Sequence, residues 1–158
     1  MVDLGCWPGS WLVVLAERVG PEGRVVGVDL EPTEAVAPHV AVLALDVTEP
    51  AAHDAIAAEL GRPADAILSD AAPKLTGIRD VDLAAIEELY AAALALAERL
   101  LTPDGFLIVK GFPGRESDAF RKQLRQRFAK VDEIRPEGKR ATSKEFYWLA
   151  VRPSRRPR

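Results

Sequence analysis

The sequence predicts an α/β fold: a Rossmann-like, mostly parallel sheet closed by an antiparallel pair of strands at its C-terminal end. Three observations carry this. Short β-branched runs alternate with segments of helical periodicity, the pattern of parallel strands joined by crossover helices. The first run ends in a turn rich in Gly and Pro, "VDLGCWPGSW", that leads straight into a helix. The last two runs, "KVDEIRP" and "EFYWLAVRP", follow one another as a strand pair.

The elements follow in chain order. "MVDL" is a first strand, and "SWLVVLAERVG" a helix stopped by Gly20 with Pro21 beyond it. "RVVGVDL", "VAVLAL" and "ADAILSD" are the second to fourth strands, with a short helix from Pro50 to Leu60 between the third and fourth. Residues 82–101 form the clearest helix: Asp82 can cap it, and Leu83, Ile86, Leu89, Tyr90, Leu94, Ala97 and Leu101 recur at helical spacing. "PDGFLIVKGF" is a fifth strand. The next helix starts near Ser117 and buries Phe120, Leu124 and Phe128, while Arg121, Lys122, Arg125 and Arg127 occupy its other faces.

At 158 residues, 48% hydrophobic and 28% charged, the chain is long enough for one domain with a real core. That domain is expected over residues 1–152, followed by a disordered basic tail, "PSRRPR", at 153–158. One cysteine excludes an internal disulfide, and Cys6 with two histidines gives no metal-binding spacing. A reduced, cytoplasmic setting and a monomer are expected. The longest apolar tract carries Glu87, Glu88, Glu98 and Arg99, which argues against a membrane span. The net charge of −3 hides an asymmetry: residues 1–100 hold six Lys/Arg against seventeen Asp/Glu, and residues 101–158 fifteen against seven. A basic C-terminal part suits phosphates, although its last residues, "RPSRRPR", read better as a solvated tail.

In such sheets ligands sit at the carboxyl ends of the strands, beside the first strand. Gly5 and Gly9 let the backbone turn tightly and approach a ligand, and the following helix offers free N–H groups to a carboxylate. Cys6, Trp7 and Pro8 stand between these glycines, so the dinucleotide fingerprint is missing and pyrophosphate is disfavoured. Asp29 ends the second strand 20 residues after Gly9, in position to accept from ribose hydroxyls, and Asp46 ends the third strand, where it could accept from an adenine amino group. An amino-acid-bearing nucleoside such as S-adenosylmethionine satisfies all three features. Each also has a plainer reading: Trp7 and Trp11 as packing residues, Cys6 as a small buried filler, Asp46 as a cap.

Taken together, "VDLGCWPGSW", "VVGVDLEP", "LSDAAP", "VKGF" and "SKEFYWLA" resemble the FtsJ family, bacterial ribose 2'-O-methyltransferases of large-subunit ribosomal RNA. The similarity runs from residue 2 to about residue 152, with the motifs in the family's order. It implies a class I S-adenosylmethionine-dependent methyltransferase sheet. It also implies that Gly9 and Trp11 contact the cofactor, that Asp29 is the ribose-side and Asp46 the adenine-side acid, and that Asp70 lies beside the methyl-transfer centre. Lys110 matches the catalytic lysine, and Glu145 the acid near the incoming ribose. A fourth family residue, a lysine in a segment before the first strand, has no counterpart in a sequence that begins at Met1. Trp7, Ser10 and Pro113 also depart from the family's usual residues. The alternatives are therefore a truncated S-adenosylmethionine-binding protein with weak or no activity, or a transferase with another substrate.

The chemistry explains the residue types. A ribose hydroxyl needs a base or strong acceptor near its proton, and a lysine serves only when neutral. Asp70 and Glu145 favour its charged form, so Lys110 is expected to be a weaker base than in relatives with two facing lysines. Lys74, just after "DAAP", is a candidate substitute. Plainer readings make Lys110 a solvent-reaching strand-end lysine and Glu145 an ordinary strand-entry glutamate. RNA docking is expected from Arg115, Arg121, Lys122 and Arg125, and above all from Lys139, Arg140 and Lys144, with ribosomal RNA in the large subunit as partner.

Overall fold

A computed structural model describes residues 1–136 and 146–153. Seven strands form one sheet in the order β3-β2-β1-β4-β5-β7-β6. Strands β1 (Val2–Leu4), β2 (Val25–Asp29), β3 (Val40–Ala44), β4 (Ala64–Ser69) and β5 (Leu101–Gly111) run parallel. The closing strands β6 (Phe128–Ile134) and β7 (Phe146–Pro153) pair antiparallel, and β7 inserts between β5 and β6. The helices are α1 (Ser10–Val19), α2 (Pro50–Leu60), α3 (Arg79–Leu100) and α4 (Arg115–Arg127). The alternation expected from the sequence is thus the one observed.

Strand order reverses at β1, whose neighbours are β2 on one side and β4 on the other, so the ligand crevice of this fold opens above β1. β1 is buried throughout, as a parallel strand covered on both faces must be. Side-chain alternation sorts the sheet into two cores. Val2, Leu4, Val26, Val28, Ile67, Leu107 and Val109 pack with residues of α2, α3 and α4. Val25, Ala66, Leu68, Phe106 and Ile108 pack on the other face with Cys6 and with Leu12, Leu15 and Ala16 of α1. Each fully buried Leu or Val contributes roughly 1.5–3 kcal/mol.

Several boundaries differ from expectation. α4 starts at Arg115 rather than near Ser117 and ends at Arg127, so Phe128, expected on its buried face, is instead the first residue of β6, which begins ahead of Lys130. α3 starts at Arg79 rather than Asp82, and Asp82 lies in its first turn. The Asp82 carboxylate reaches back to accept the backbone N–H groups of Thr76 (2.7 Å) and Gly77 (3.1 Å), so it fastens the preceding loop instead of capping the helix. β5 begins at Leu101, ahead of Pro103, because Leu101 pairs with Ala64 across an irregular register before regular pairing resumes at Phe106. Among the described residues no helix is long and apolar enough to cross a membrane. The tail residues 154–158 lie outside the described residues.

Candidate active site

The loop after β1 is shaped by its glycines. Gly5 has φ +80° and donates to the Val28 carbonyl at 2.8 Å. A Cβ on it would lie 2.6 Å from the Ala71 Cα and backbone N, so only glycine lets the loop settle against the chain leaving β4. Gly9, φ +107°, donates to the Cys6 carbonyl at 2.7 Å and precedes α1. Beyond it the first-turn N–H groups of α1 have no intrahelical acceptors. Trp7, joined to Pro8 by a cis peptide, is 59% exposed. Its backbone N–H donates to Asp29 Oδ2 at 2.9 Å, tying the loop to the end of β2.

Asp29 receives a second backbone donor, the Glu31 N–H, on Oδ1 at 2.9 Å. Each carboxylate oxygen is thereby oriented while keeping a lone pair for another donor. The neighbouring ladder continues through the Leu45 N–H to the Asp29 carbonyl, which sets the chain before Asp46 alongside. Asp46 Oδ1 accepts both the backbone N–H (2.9 Å) and hydroxyl (2.7 Å) of Thr48, a local turn in the loop ahead of α2, whose N-cap is Glu49; Asp46 is thus an exposed acceptor and not a helix cap.

Asp70 follows β4 and donates its N–H to the Leu4 carbonyl. Its Oδ1 receives two donors: the Tyr147 hydroxyl at 2.8 Å and the Lys110 ammonium at 3.3 Å. Lys110 and Tyr147 face each other in the antiparallel register of β5 and β7. Burial, followed by the hydrogen bond and charge of Asp70, pushes the Tyr147 hydroxyl well above its ordinary pKa, so it stays a donor. The Trp11 ring, on α1, meets the Tyr147 ring at 5.9 Å. Trp11, Asp70 and Lys110 are therefore brought together from three elements distant in sequence. Lys74 instead pairs with Glu31 at 3.2 Å across the loops after β4 and β2.

Two residues of this region were not singled out by sequence reasoning. Tyr147 becomes visible only through its register opposite Lys110; the sequence signal was its place two residues after Glu145. Asp3 is fully buried in β1, and neither of its carboxylate oxygens has a hydrogen-bond partner among the described residues. Burial, reinforced by the charges of Asp70 and Asp29, raises it from 3.8 to about 7. The available signal was an acid inside an apolar strand immediately before a glycine turn. Cys6 above it is buried, and burial together with the Asp3 charge pushes its thiol up to about 11, which makes it an inert filler.

The basic residues divide. Arg115, Lys122 and Arg125 are exposed along α4. The Arg121 guanidinium lies 5.2 Å from the centre of the Trp148 ring, a packing role the sequence did not foretell. Lys139, Arg140, Lys144 and Glu145 lie outside the described residues. Among the described residues no group of His, Cys, Asp and Glu could hold a metal ion.

Comparison with known proteins places this architecture. The profile of the FtsJ-like methyltransferases matches residues 1–152. The chain is 43% identical over 151 residues to ribosomal RNA large subunit methyltransferase E of Alkalilimnicola ehrlichii, covering 95% of this chain and 72% of the relative. It is 40% identical over 148 residues to the protein of that name in Methanothermobacter thermautotrophicus, covering 93% and 70%. In three dimensions it superposes on a Plasmodium falciparum protein assigned as a ribosomal RNA methyltransferase with a TM-score of 0.80, at 24% identity over 96% of this chain and 85% of that one. Human methyltransferase-like protein 13, solved with S-adenosylhomocysteine, gives 0.65 at 17% identity over 95% and 71%. These two likenesses establish the shared fold. With the profile spanning the glycine loop, the strand-end acids and the Asp70–Lys110 pair, the chain belongs to the FtsJ-like methyltransferase family.

Proposed function

We propose that this protein transfers a methyl group from S-adenosylmethionine to a ribose 2'-hydroxyl of large-subunit ribosomal RNA. The observation that carries the reading is the convergence of Lys110 and Tyr147 on one carboxylate oxygen of Asp70, at the strand ends beside the glycine loop. The relatives' names supply the RNA class. The residues present fit the cofactor. Asp29 is oriented by two backbone donors and keeps acceptor capacity for ribose hydroxyls. Asp46 is an exposed acceptor on the adjacent loop, and Gly9 leaves room, since a Cβ there would meet nothing nearer than Thr33 Cγ2 at 3.6 Å. Gly5 and Trp11 complete this wall, and the first turn of α1 offers N–H groups to the amino-acid carboxylate.

The sulfonium methyl is activated by the cofactor itself. The protein adds placement and proton management. Asp70, held by Tyr147, fixes the Lys110 ammonium beside the place where the hydroxyl must enter. Lys110, once it has lost its own proton, takes the hydroxyl proton as the oxygen attacks; Glu145 is assigned to orient the incoming ribose. Holding hydroxyl, methyl and sulfur in line is a proximity effect worth several kcal/mol. Arg115, Lys122 and Arg125, with Lys139, Arg140 and Lys144, are assigned to RNA phosphates, and Arg121 to the edge of that surface. Such contacts give salt-dependent affinity and leave target choice to RNA shape or the assembled subunit.

The test is transfer of tritiated methyl from S-adenosylmethionine to undermethylated large ribosomal subunits, beside Lys110→Ala. Label in RNA that vanishes in the variant, while the variant still binds S-adenosylhomocysteine, supports the reading. Bound cofactor with label only in protein or small molecules would replace the substrate, and no label anywhere would leave a cofactor-binding protein.

A further inference from the structure

Lys110 stands on a part of β5 that outruns its neighbour. The ladder between β4 and β5 ends with Ser69 opposite Val109, so Lys110 and Gly111 are paired on one side only, with Tyr147 and Phe146 of β7. Beyond Gly111 the pairing stops, and the next backbone donor is the half-buried Phe112. The Tyr90 hydroxyl, brought from α3, accepts its N–H at 3.0 Å. Alternation sets Val109 and Gly111 on the face covered by α3 and α4, and Ile108 and Lys110 on the other. A Cβ on Gly111 would collide with the Phe146 ring, which occupies that space.

Tyr90 is itself held from several sides. It is 3% exposed, and its ring stacks on Phe120 of α4 with centroids 4.1 Å apart and planes 3° from parallel. The Ser117 side chain, in the first turn of α4, lies in hydrogen-bonding reach of the same hydroxyl. Ser117 Oγ also accepts the Trp148 indole N–H of β7 at 3.0 Å, and the Trp148 ring meets that of Phe146 edge-on at 5.1 Å. The end of β5 is thus gripped from behind by α3, α4 and β7, while Lys110 reaches Asp70 in front.

We propose that Tyr90 is a positioning residue for methyl transfer: by holding the Phe112 N–H it fixes the end of β5, and with it the placement of Lys110 on Asp70. The inference deepens the reading of Lys110 as the proton acceptor and rests on it. Tyr90 acts from the opposite face of the sheet, so its influence reaches the site through the backbone of residues 110–112. A misplacement of about 1 Å costs up to about a hundredfold in rate. A strand end paired on one side has little else to resist such a shift. Without the phenolic oxygen the Phe112 N–H turns to water for an acceptor, and the strand end that carries Lys110 moves with it.

The experiment compares the full native chain with Tyr90→Phe, which keeps the ring on Phe120 and removes only the acceptor. Steady-state methyl transfer to undermethylated large ribosomal subunits is expressed per S-adenosylhomocysteine-binding site, counted by calorimetry. The inference expects kcat to fall roughly tenfold, while KM for subunits and affinity for S-adenosylhomocysteine each stay within about twofold. An unchanged kcat per binding site overturns it and leaves Tyr90 a core residue. A raised KM at constant kcat overturns it by placing the loop after β5 against RNA, and lost S-adenosylhomocysteine affinity overturns it by placing that loop against the cofactor. Amide hydrogen exchange of the native protein decides the matter even if the variant does not fold. The Phe112 amide should be protected at least about a hundredfold relative to an open loop, and exchange at the open-loop rate overturns the inference. No label in RNA from the native protein removes the proposed function and this inference together. Label that vanishes in Lys110→Ala but persists undiminished in Tyr90→Phe removes the inference alone.

Discussion

Asp3→Asn is the substitution that most directly tests the energetics of β1. A carboxyl raised from 3.8 unfolded to about 7 folded has a proton bound in the native state that the unfolded chain has already lost. Stability contributed by this group is complete below about pH 4 and is lost progressively as pH rises to about 7. The full difference of about three pKa units corresponds to about 4 kcal/mol, of which roughly 2–3 kcal/mol falls between pH 5 and pH 8. An asparagine of nearly the same shape cannot ionise, so its stability should lack that slope. The variant should therefore gain roughly 2–3 kcal/mol on the native protein between those pH values, or about 4–12 °C in melting temperature for a chain of this size. The assay is urea unfolding of both proteins at pH 5, 6, 7 and 8, read by tryptophan fluorescence. Parallel curves across that range would refute the reasoning, because they would mean that Asp3 titrates alike in the folded and unfolded states.

Three further substitutions test the site's geometry. Gly5→Ala sets a Cβ 2.6 Å from backbone atoms of Ala71 at a φ of +80°, and should cost about 2–4 kcal/mol in urea unfolding; a change under 0.5 kcal/mol would contradict the close approach. Tyr147→Phe keeps the ring against Trp11 but removes the 2.8 Å hydrogen bond to Asp70, so methyl transfer should fall roughly tenfold with S-adenosylhomocysteine affinity nearly unchanged. Equal losses in rate and affinity would instead place Tyr147 against the cofactor. Asp29→Ala removes the acceptor shared by the Trp7 and Glu31 N–H groups, and calorimetry should show affinity for S-adenosylhomocysteine weakened roughly 10–100-fold.

Much of the fold was legible because its signals are local. The segment from Pro50 to Leu60 forms the helix its composition announces, and Gly20 ends α1 where the sequence stops it. Asp82 misled because its side chain serves the loop behind it, a choice made by the positions of the Thr76 and Gly77 N–H groups. Arg121 reads as one more surface cation until the Trp148 ring, 27 residues later, arrives beneath it.

The sequence by itself determined the alternation of strands and helices, the glycine turn after the first strand, the acids at strand ends, and a family resemblance that the profile over residues 1–152 bears out. Periodicity, turn chemistry and motif order are all properties of neighbours along the chain. Only the tertiary structure decided that β7 inserts antiparallel beside β5, which sets Tyr147 opposite Lys110 and both on Asp70. It also decided that Asp3 is buried with no hydrogen-bonding partner among the described residues. Strand register and burial depend on which distant segments pair, and the perturbation of a carboxyl depends on the charges and solvent those segments bring or exclude.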